Sequence, residues 1–166
     1  MNIQLRKWQP DDLDNLVLHA DNYKIARNLT NQFPHPYTRE AAEAFIGKVS
    51  EQDPLQVFAI TLDDQAIGGI GIFQQQDIQC RNAEMGYWLA ETFWGKGIIT
   101  IAIKKMIEYS FSTFDINRIY ARPFGSNIAS QKALEKAGFV KEAFFEKTLF
   151  KFGEYEDEYV YSIRNN

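Results

Sequence analysis

Cysteine is almost absent. Cys80 stands alone in 166 residues, which excludes an internal disulfide and leaves no set of thiols for a zinc cluster. His19 and His35 are the two histidines, and neither has a partner at ligand spacing, so no metal is expected. An excess of positive charge is also missing. Lys and Arg number 18 against 22 Asp and Glu, a net charge of -4 with no basic field for a polyphosphate backbone, so nucleic acid is not an expected partner. Long apolar runs are lacking too: the longest, Ala66 to Phe73, holds three glycines and falls far short of the ~20 residues that span a bilayer. Met1 to Pro10 has no apolar signal-peptide core, and the expected location is a reducing cytoplasm, away from membranes. No G-x-S-x-G elbow marks a serine hydrolase, and no repeat or low-complexity segment interrupts the chain. What is present is a globular composition, 45 % hydrophobic, 24 % charged and 14 % aromatic. Residues 1–166 read as one domain, long enough to bury roughly 70 % of its unfolded surface.

Alternating residues Ile3 to Arg6 predict a strand, and Pro10-Asp11-Asp12 an acidic turn into a helix carrying Leu13, Leu16, Val17 and Ala20. A short helix is expected from Tyr23 to Leu29. Phe33-Pro34-His35-Pro36-Tyr37 must be a loop, because each proline pushes its predecessor toward extended geometry, and Thr38 caps a helix to about Val49. Val57 to Leu62 and Ala66 to Phe73, separated by Asp63-Asp64-Gln65, form a hairpin signal. A strand from Asn82 to Leu89, the turn Gly95-Lys96-Gly97 and a helix from Ile98 to Phe111 follow. Arg118 to Arg122 reads as a strand, and Asn127 to Ala137 as a helix closed by Gly138. Ala143 to Lys151 and Asp157 to Ser162 make the final strands. This order predicts a mixed α/β fold of the α+β type, with a largely antiparallel sheet and a central strand-helix-strand crossover.

The turn Trp94-Gly95-Lys96-Gly97-Ile98 lies between strand and helix, where backbone N–H groups converge at the positive end of a helix dipole. Such a turn suits an anion; it is also an ordinary strand-to-helix connection with Trp94 tucked beneath. A Walker A loop does not fit, since Gly95 to Thr100 lacks its spacing. The dinucleotide fingerprint fits poorly: Thr100 occupies its third small position, and the turn follows a hairpin rather than opening a series of parallel units.

Several motifs in order carry a resemblance: Ala83-Glu84-Met85-Gly86-Tyr87-Trp88-Leu89, then Trp94-Gly95-Lys96-Gly97, then Asn127-Ile128-Ala129-Ser130 and Leu134-Glu135-Lys136-Ala137-Gly138-Phe139. Together they resemble the GNAT superfamily of N-acetyltransferases. With Phe33 to Tyr37 upstream, they resemble the branch of the ribosomal-protein N-terminal acetyltransferases RimJ and RimL, over almost the whole chain. The resemblance implies acetyl-CoA as cosubstrate, with the pyrophosphate in the glycine turn. It assigns the coenzyme to Trp88, Leu89, Trp94, Gly95, Lys96, Gly97, Ile98, Ile99, Thr100 and Asn127. Two departures stand out: Thr92 occupies the place of the family's usual Arg or Gln, and Ile101 separates Thr100 from Ala102.

Acetyl transfer needs a base for the amine, a donor to the thioester oxygen and a proton for the thiolate. Glu84 is the candidate base, where apolar neighbours would raise its carboxyl above the usual value; the alternative is a strand carboxylate paired with Arg81 or Arg122. Gly86, costly inside a strand, marks a bulge or an opening. The resemblance implies that the strands splay around Tyr87 to Leu89 and Tyr120 to Arg122 to admit the pantetheine, with a backbone N–H for the thioester oxygen. It also implies that Ser130 protonates the thiolate, though Asn127 and Ser130 equally read as an N-cap and a first-turn serine. Phe33, His35 and Tyr37 are candidates for the acceptor pocket or for loop packing. Glu154, Glu156, Asp157 and Glu158, expected just before the last strand, would attract a cationic amine. The expected partner is an amine acceptor, a protein N-terminus or a small molecule, met by a monomer or homodimer. A non-catalytic acyl-CoA binding module is the rival reading.

Overall fold

The computed structural model describes residues 1–166. Its strands are Ile3–Arg6 (β1), Val57–Leu62 (β2), Gln65–Gln74 (β3), Asn82–Leu89 (β4), Arg118–Ala121 (β5), Val140–Lys151 (β6) and Glu154–Arg164 (β7). Its helices are Leu13–Ala20 (α1), Tyr23–Ala26 (α2), Arg39–Val49 (α3), Ile98–Thr113 (α4) and Ile128–Lys136 (α5). The strands form one sheet in the order β1-β2-β3-β4-β5-β7-β6. All neighbours are antiparallel except β4 and β5, which the α4 crossover joins in parallel. This is the mixed α/β fold that the element order predicts.

Alternation along the strands sorts side chains onto two faces. Phe58, Ile60, Ile70, Ile72, Ala83 and Met85 meet Ala102, Ile103 and Met106 of α4 and Leu134 of α5 in the larger core. Val57, Ala59 and Ala66 face the other way, onto Trp8 and onto Leu16, Ala42 and Ile46 of α1 and α3. Truncating a fully buried member such as Ile103 to Ala removes about 2–5 kcal/mol. Along β4 the same alternation sends Tyr87 and Leu89 toward α4 and α5, and Trp88 toward the other core. Glu84 and Gly86 therefore share the Trp88 face.

Local chemistry explains the ends. Thr38 caps α3 by accepting the Ala41 N–H at 3.1 Å. The β2–β3 hairpin turns through Asp63 and Asp64, both at positive φ, leaving Gln65 within β3. Gly138, at a φ of 103°, closes α5 with the N–H of Phe139 donating to the Leu134 carbonyl.

Some expectations are corrected. α2 stops at Ala26 rather than Leu29, because Asn28 and Leu29 bond three residues back and the Asn28 amide takes the Lys24 carbonyl. β6 and β7 both start earlier than expected, meeting at a turn through Phe152 and Gly153 with positive φ. The acidic residues Glu154, Glu156, Asp157 and Glu158 therefore lie within β7. Asp157 accepts the Lys147 N–H at 2.8 Å where β6 bulges, and Glu156 accepts from Ser126. Gly86 marks no bulge against β3: its partner is Gly71 in an unbroken register.

Candidate active site

β4 and β5 pair only as far as Glu84 with Tyr120. β5 ends one residue later, at Ala121, and Pro123 beyond it has no N–H to continue a ladder. Met85 to Leu89 thus run on with one edge open, so the two strands do splay there. The alternation of β4 hydrogen bonds fixes which groups face the opening. Ala90 N–H is spent on Ile67 and the Asn82 carbonyl on Gln75, both toward β3. The intervening odd-numbered residues therefore aim their N–H groups the other way, those of Tyr87 and Leu89 into the gap.

The gap opens into a cleft of about 330 Å³. Glu84 to Leu89 of β4, Phe93 to Ile99 except Lys96, Ala121 to Phe124, the Asn127 and Ser130 region, and Lys24, Ile25 and Asn28 to Thr30 line it. Since Glu84 and Tyr87 point to opposite faces of the sheet yet line one cleft, the cleft passes through the sheet.

On one side lies the glycine turn. Gly95 and Gly97 have φ of 74° and 75°, and a Cβ at either would touch nothing within 4 Å. Backbone angle, not crowding, requires glycine there. Gly97 is the N-cap of α4 and supplies no side chain, so the first amides of a 16-residue helix keep no internal partner. Trp94 does not lie beneath the turn: it is 42 % exposed, and its Nε1 donates to the Leu89 carbonyl at 2.8 Å, clipping the turn to the end of β4. Exposed Thr92 belongs to a 3-10 turn, Glu91–Phe93. Glu91 takes Lys24 Nζ at 2.6 Å and Asn22 Nδ2 at 2.8 Å, tying α2 to the turn. Those two donors, Lys24 first, hold the Glu91 carboxyl below its usual value. Asn127 caps α5 by accepting the Ser130 N–H at 3.3 Å, and its side chain also faces the cleft.

Tyr87 hydroxyl lies 2.6 Å from Ser130 Oγ. Burial pushes the phenol well above its ordinary value, with the Ser130 bond pulling weakly the other way, so Tyr87 keeps its proton across the working range. On the opposite face, Glu84 meets Arg122 Nε at 3.3 Å. Tyr120 beside them on β5 is pushed up, chiefly by burial and then by the Glu84 charge. The strand register sets Glu84 between Phe73 of β3 and Tyr120 of β5, and the Arg122 guanidinium beside it makes it the arginine-paired strand carboxylate that the sequence offered as the alternative.

The structure brings Trp88, Leu89, Trp94, Gly95, Gly97, Ile98, Ile99, Asn127, Glu84 and Ser130 to this one cleft. Lys96 and Thr100 lie outside its lining; the Lys96 ammonium sits 5.4 Å from the Phe93 ring. Phe33, His35 and Tyr37 are corrected as well, because none lines the cleft. Tyr37 is 5 % exposed in the smaller core, its phenol raised to about 12 by burial. Phe33 packs between Tyr37 and Trp88, with ring centroids 5.0 and 5.7 Å away. His35 lies against Tyr23 and Phe152. The acidic residues of β7 lie outside the cleft too. Sequence reasoning assigned no role to the Tyr87 hydroxyl or to Lys24, whereas Arg122 was one of the two arginine partners it offered for Glu84; for Tyr87, its odd register with Met85 on β4 was the available signal.

Residues 2–140 match the acetyltransferase (GNAT) domain, and the chain belongs to that family. It is an acetyl-CoA-dependent N-acetyltransferase. The chain is 37 % identical over 103 residues to YjcK of Bacillus subtilis, a match covering 62 % of this chain and 57 % of that protein, under two thirds of its length. It is 27 % identical over 107 residues to the ribosomal-protein-serine acetyltransferase of Escherichia coli, covering 64 % and 59 %. To the spermidine N(1)-acetyltransferase of Vibrio cholerae it is 30 % identical over 151 residues, covering 85 % and 86 %. The solved structure of the microcin C7 self-immunity acetyltransferase MccE, in complex with acetyl-CoA and AMP, superposes with a TM-score of 0.81 at 25 % identity, covering 98 % and 92 %. No helix is long and apolar enough to cross a membrane.

Proposed function

We propose that the cleft holds acetyl-CoA from the α4 side and an α-amine from the other, and that transfer is direct. The observation that carries this reading is the passage through the sheet: Tyr87 and Ser130 on one face and Glu84 on the other line a single cleft. The pyrophosphate sits on the amides of Gly95 to Ile99, and the Asn127 side chain reaches the coenzyme. Glu84 accepts the amine proton, directly or through water. The nitrogen lone pair bonds to the carbonyl carbon while the N–H of Tyr87 or Leu89 holds the oxygen. The C–S electron pair leaves with sulfur, and Ser130, oriented by Tyr87, returns a proton to it. From an ammonium two protons leave nitrogen: the first passes through Glu84 to solvent before attack, and the second, lost once the N–C bond has formed, balances the one that Ser130 gives to sulfur. Cys80 is exposed and outside the cleft, so no covalent enzyme intermediate is invoked. Its free thiol suits a reducing compartment such as the cytoplasm. Residues 1–166 act as one catalytic domain.

An α-amine, with a reference pKa of about 7.7–8.0 against about 10.4 for Lys, needs only a modest carboxylate base. A protein N-terminus is therefore the acceptor of choice, in keeping with the ribosomal-protein relative. A polyamine suits the site less well, since Lys24 and Arg122 place two cations on the lining and Glu84 is the one carboxylate there. The test compares two peptides, one with a free N-terminus and acetylated Lys, the other with a blocked N-terminus and free Lys, alongside spermidine. Mass spectrometry should show acetyl on the first peptide. Preferred modification of the second, or of spermidine alone, would overturn the α-amine reading.

A further inference from the structure

The acceptor side of the cleft contains an unspent guanidinium. Arg122 leaves the end of β5 on the same sheet face as Glu84, and its Nε rests 3.3 Å from Glu84 Oε1. Its two terminal nitrogens donate to no group in the protein. The pair is open to solvent, with the side chains of Arg122 and Glu84 46 % and 33 % exposed. An exposed pair of this kind contributes little, so a better anion can take the guanidinium away. Lys24, the other cation on the lining, is already held by Glu91 at 2.6 Å. The remaining acceptor wall, Ile25, Asn28, Leu29, Thr30 and Trp88, carries no charge.

An incoming ammonium brings a positive charge beside Arg122 and toward a base that Arg122 already occupies. A second, negative group on the same molecule resolves both difficulties. We propose that the preferred acceptor carries a carboxylate close to its amine, and that Arg122 turns from Glu84 to grip it. The planar fork of arginine matches a carboxylate with two parallel hydrogen bonds, a geometry that Glu84 at Nε does not use. Release of Glu84 then frees its oxygen to accept the ammonium proton: one N–H bond breaks, one O–H bond forms, and the nitrogen lone pair is left for attack. Acceptor recognition and base release become one event. Two sources share this chemistry, an N-terminus followed by an acidic residue and a free α-amino acid. The inference rests on the α-amine reading above.

The experiment measures kcat/KM on two pairs of acceptors. Peptides Ser-Asp-Gly-Phe-amide and Ser-Asn-Gly-Phe-amide differ by one carboxylate, as do serine and serinamide. Each is run with the wild-type protein, Arg122→Gln and Arg122→Lys, with acetyl-CoA affinity as the check of fold. In the wild type the carboxylate-bearing member of at least one pair should be favoured by about tenfold or more. Preference in the peptide pair assigns the acidic N-terminus, and preference in the serine pair the free amino acid. Arg122→Gln should erase the preference, and Arg122→Lys should restore part of it. Equal rates within both pairs, or a preference that survives Arg122→Gln, would overturn the role of Arg122 while leaving α-amine acetylation intact. Acetylation of none of the four would overturn both readings.

Discussion

On the glycine-turn side of the cleft, where we place the coenzyme, the groups offered to a ligand are backbone amides, set by Gly95 and Gly97 at positive φ and by the start of α4. On the acceptor side they are side chains, Glu84, Arg122 and Lys24, each held by an ion pair that solvent reaches. Amides fixed by backbone angle have one arrangement and suit a ligand part that never varies. Side chains in exchangeable pairs can be reset by substitution without disturbing the sheet. The contrast matches an enzyme in which one substrate is constant and the other distinguishes relatives, such as those named for a ribosomal protein and for spermidine.

Substitutions that act on one half alone put this division at risk. The largest effect is expected from Glu84→Gln, which should lower kcat by about 100-fold or more while leaving the acetyl-CoA dissociation constant unchanged. Initial rates of CoA release and calorimetric titration check the two numbers, and a shared loss would mean that the halves are not separate. Gly97→Val should do the reverse. A β-branched residue at a φ of 75° costs at least about 1–2 kcal/mol and spoils the amide array, so acetyl-CoA affinity should fall by about tenfold or more.

A smaller effect tests the junction of the halves. Tyr87→Phe removes one hydrogen bond worth about 1 kcal/mol, so kcat should fall about fivefold. If Tyr87 acts by orienting Ser130, the Tyr87→Phe, Ser130→Ala double variant should be no slower than Ser130→Ala alone. Fully multiplied losses would separate the two residues.

The smallest effect lies outside the cleft and serves as its control. Glu142 on β6 accepts from Arg118, Ser162 and Arg164, and these, Arg118 first, hold its carboxyl below the usual value. A depressed folded pKa means that stability is fully present above the unfolded carboxylate value and is lost as pH falls through the folded one. Glu142→Gln should therefore lower Tm modestly at pH 7, and the gap to wild type should close as pH falls below about 4. Neither kcat nor coenzyme affinity should change.

The same contrast explains what the sequence made legible. Every strand and helix was visible in order, because hydrophobic period, the Thr38 cap and the glycines at 95, 97 and 138 act over a few residues. The glycine turn was legible for the same reason: it is one continuous stretch. The side proposed for the acceptor joins Lys24, Glu84 and Arg122 from three distant segments, and only the pairing of β4 with β5 selects Arg122 over Arg81 as the partner of Glu84. Tyr37 read as a loop residue from its prolines and is one, yet packing in the smaller core with distant residues such as Trp8 and Ala59 buries it. Glu154 and Glu156 read as lying before the last strand because charge outweighed their alternation, while pairing with β6 makes them strand.

A crystal structure of the complex with CoA shows whether the cleft passes through the sheet with the coenzyme entering from the α4 side. Pyrophosphate oxygens are expected on the amides of Gly95 to Ile99 and the sulfur in the gap between β4 and β5, beside Tyr87 and Ser130. CoA bound with its thiol away from that gap, or with its phosphates away from the glycine turn, would contradict this placement.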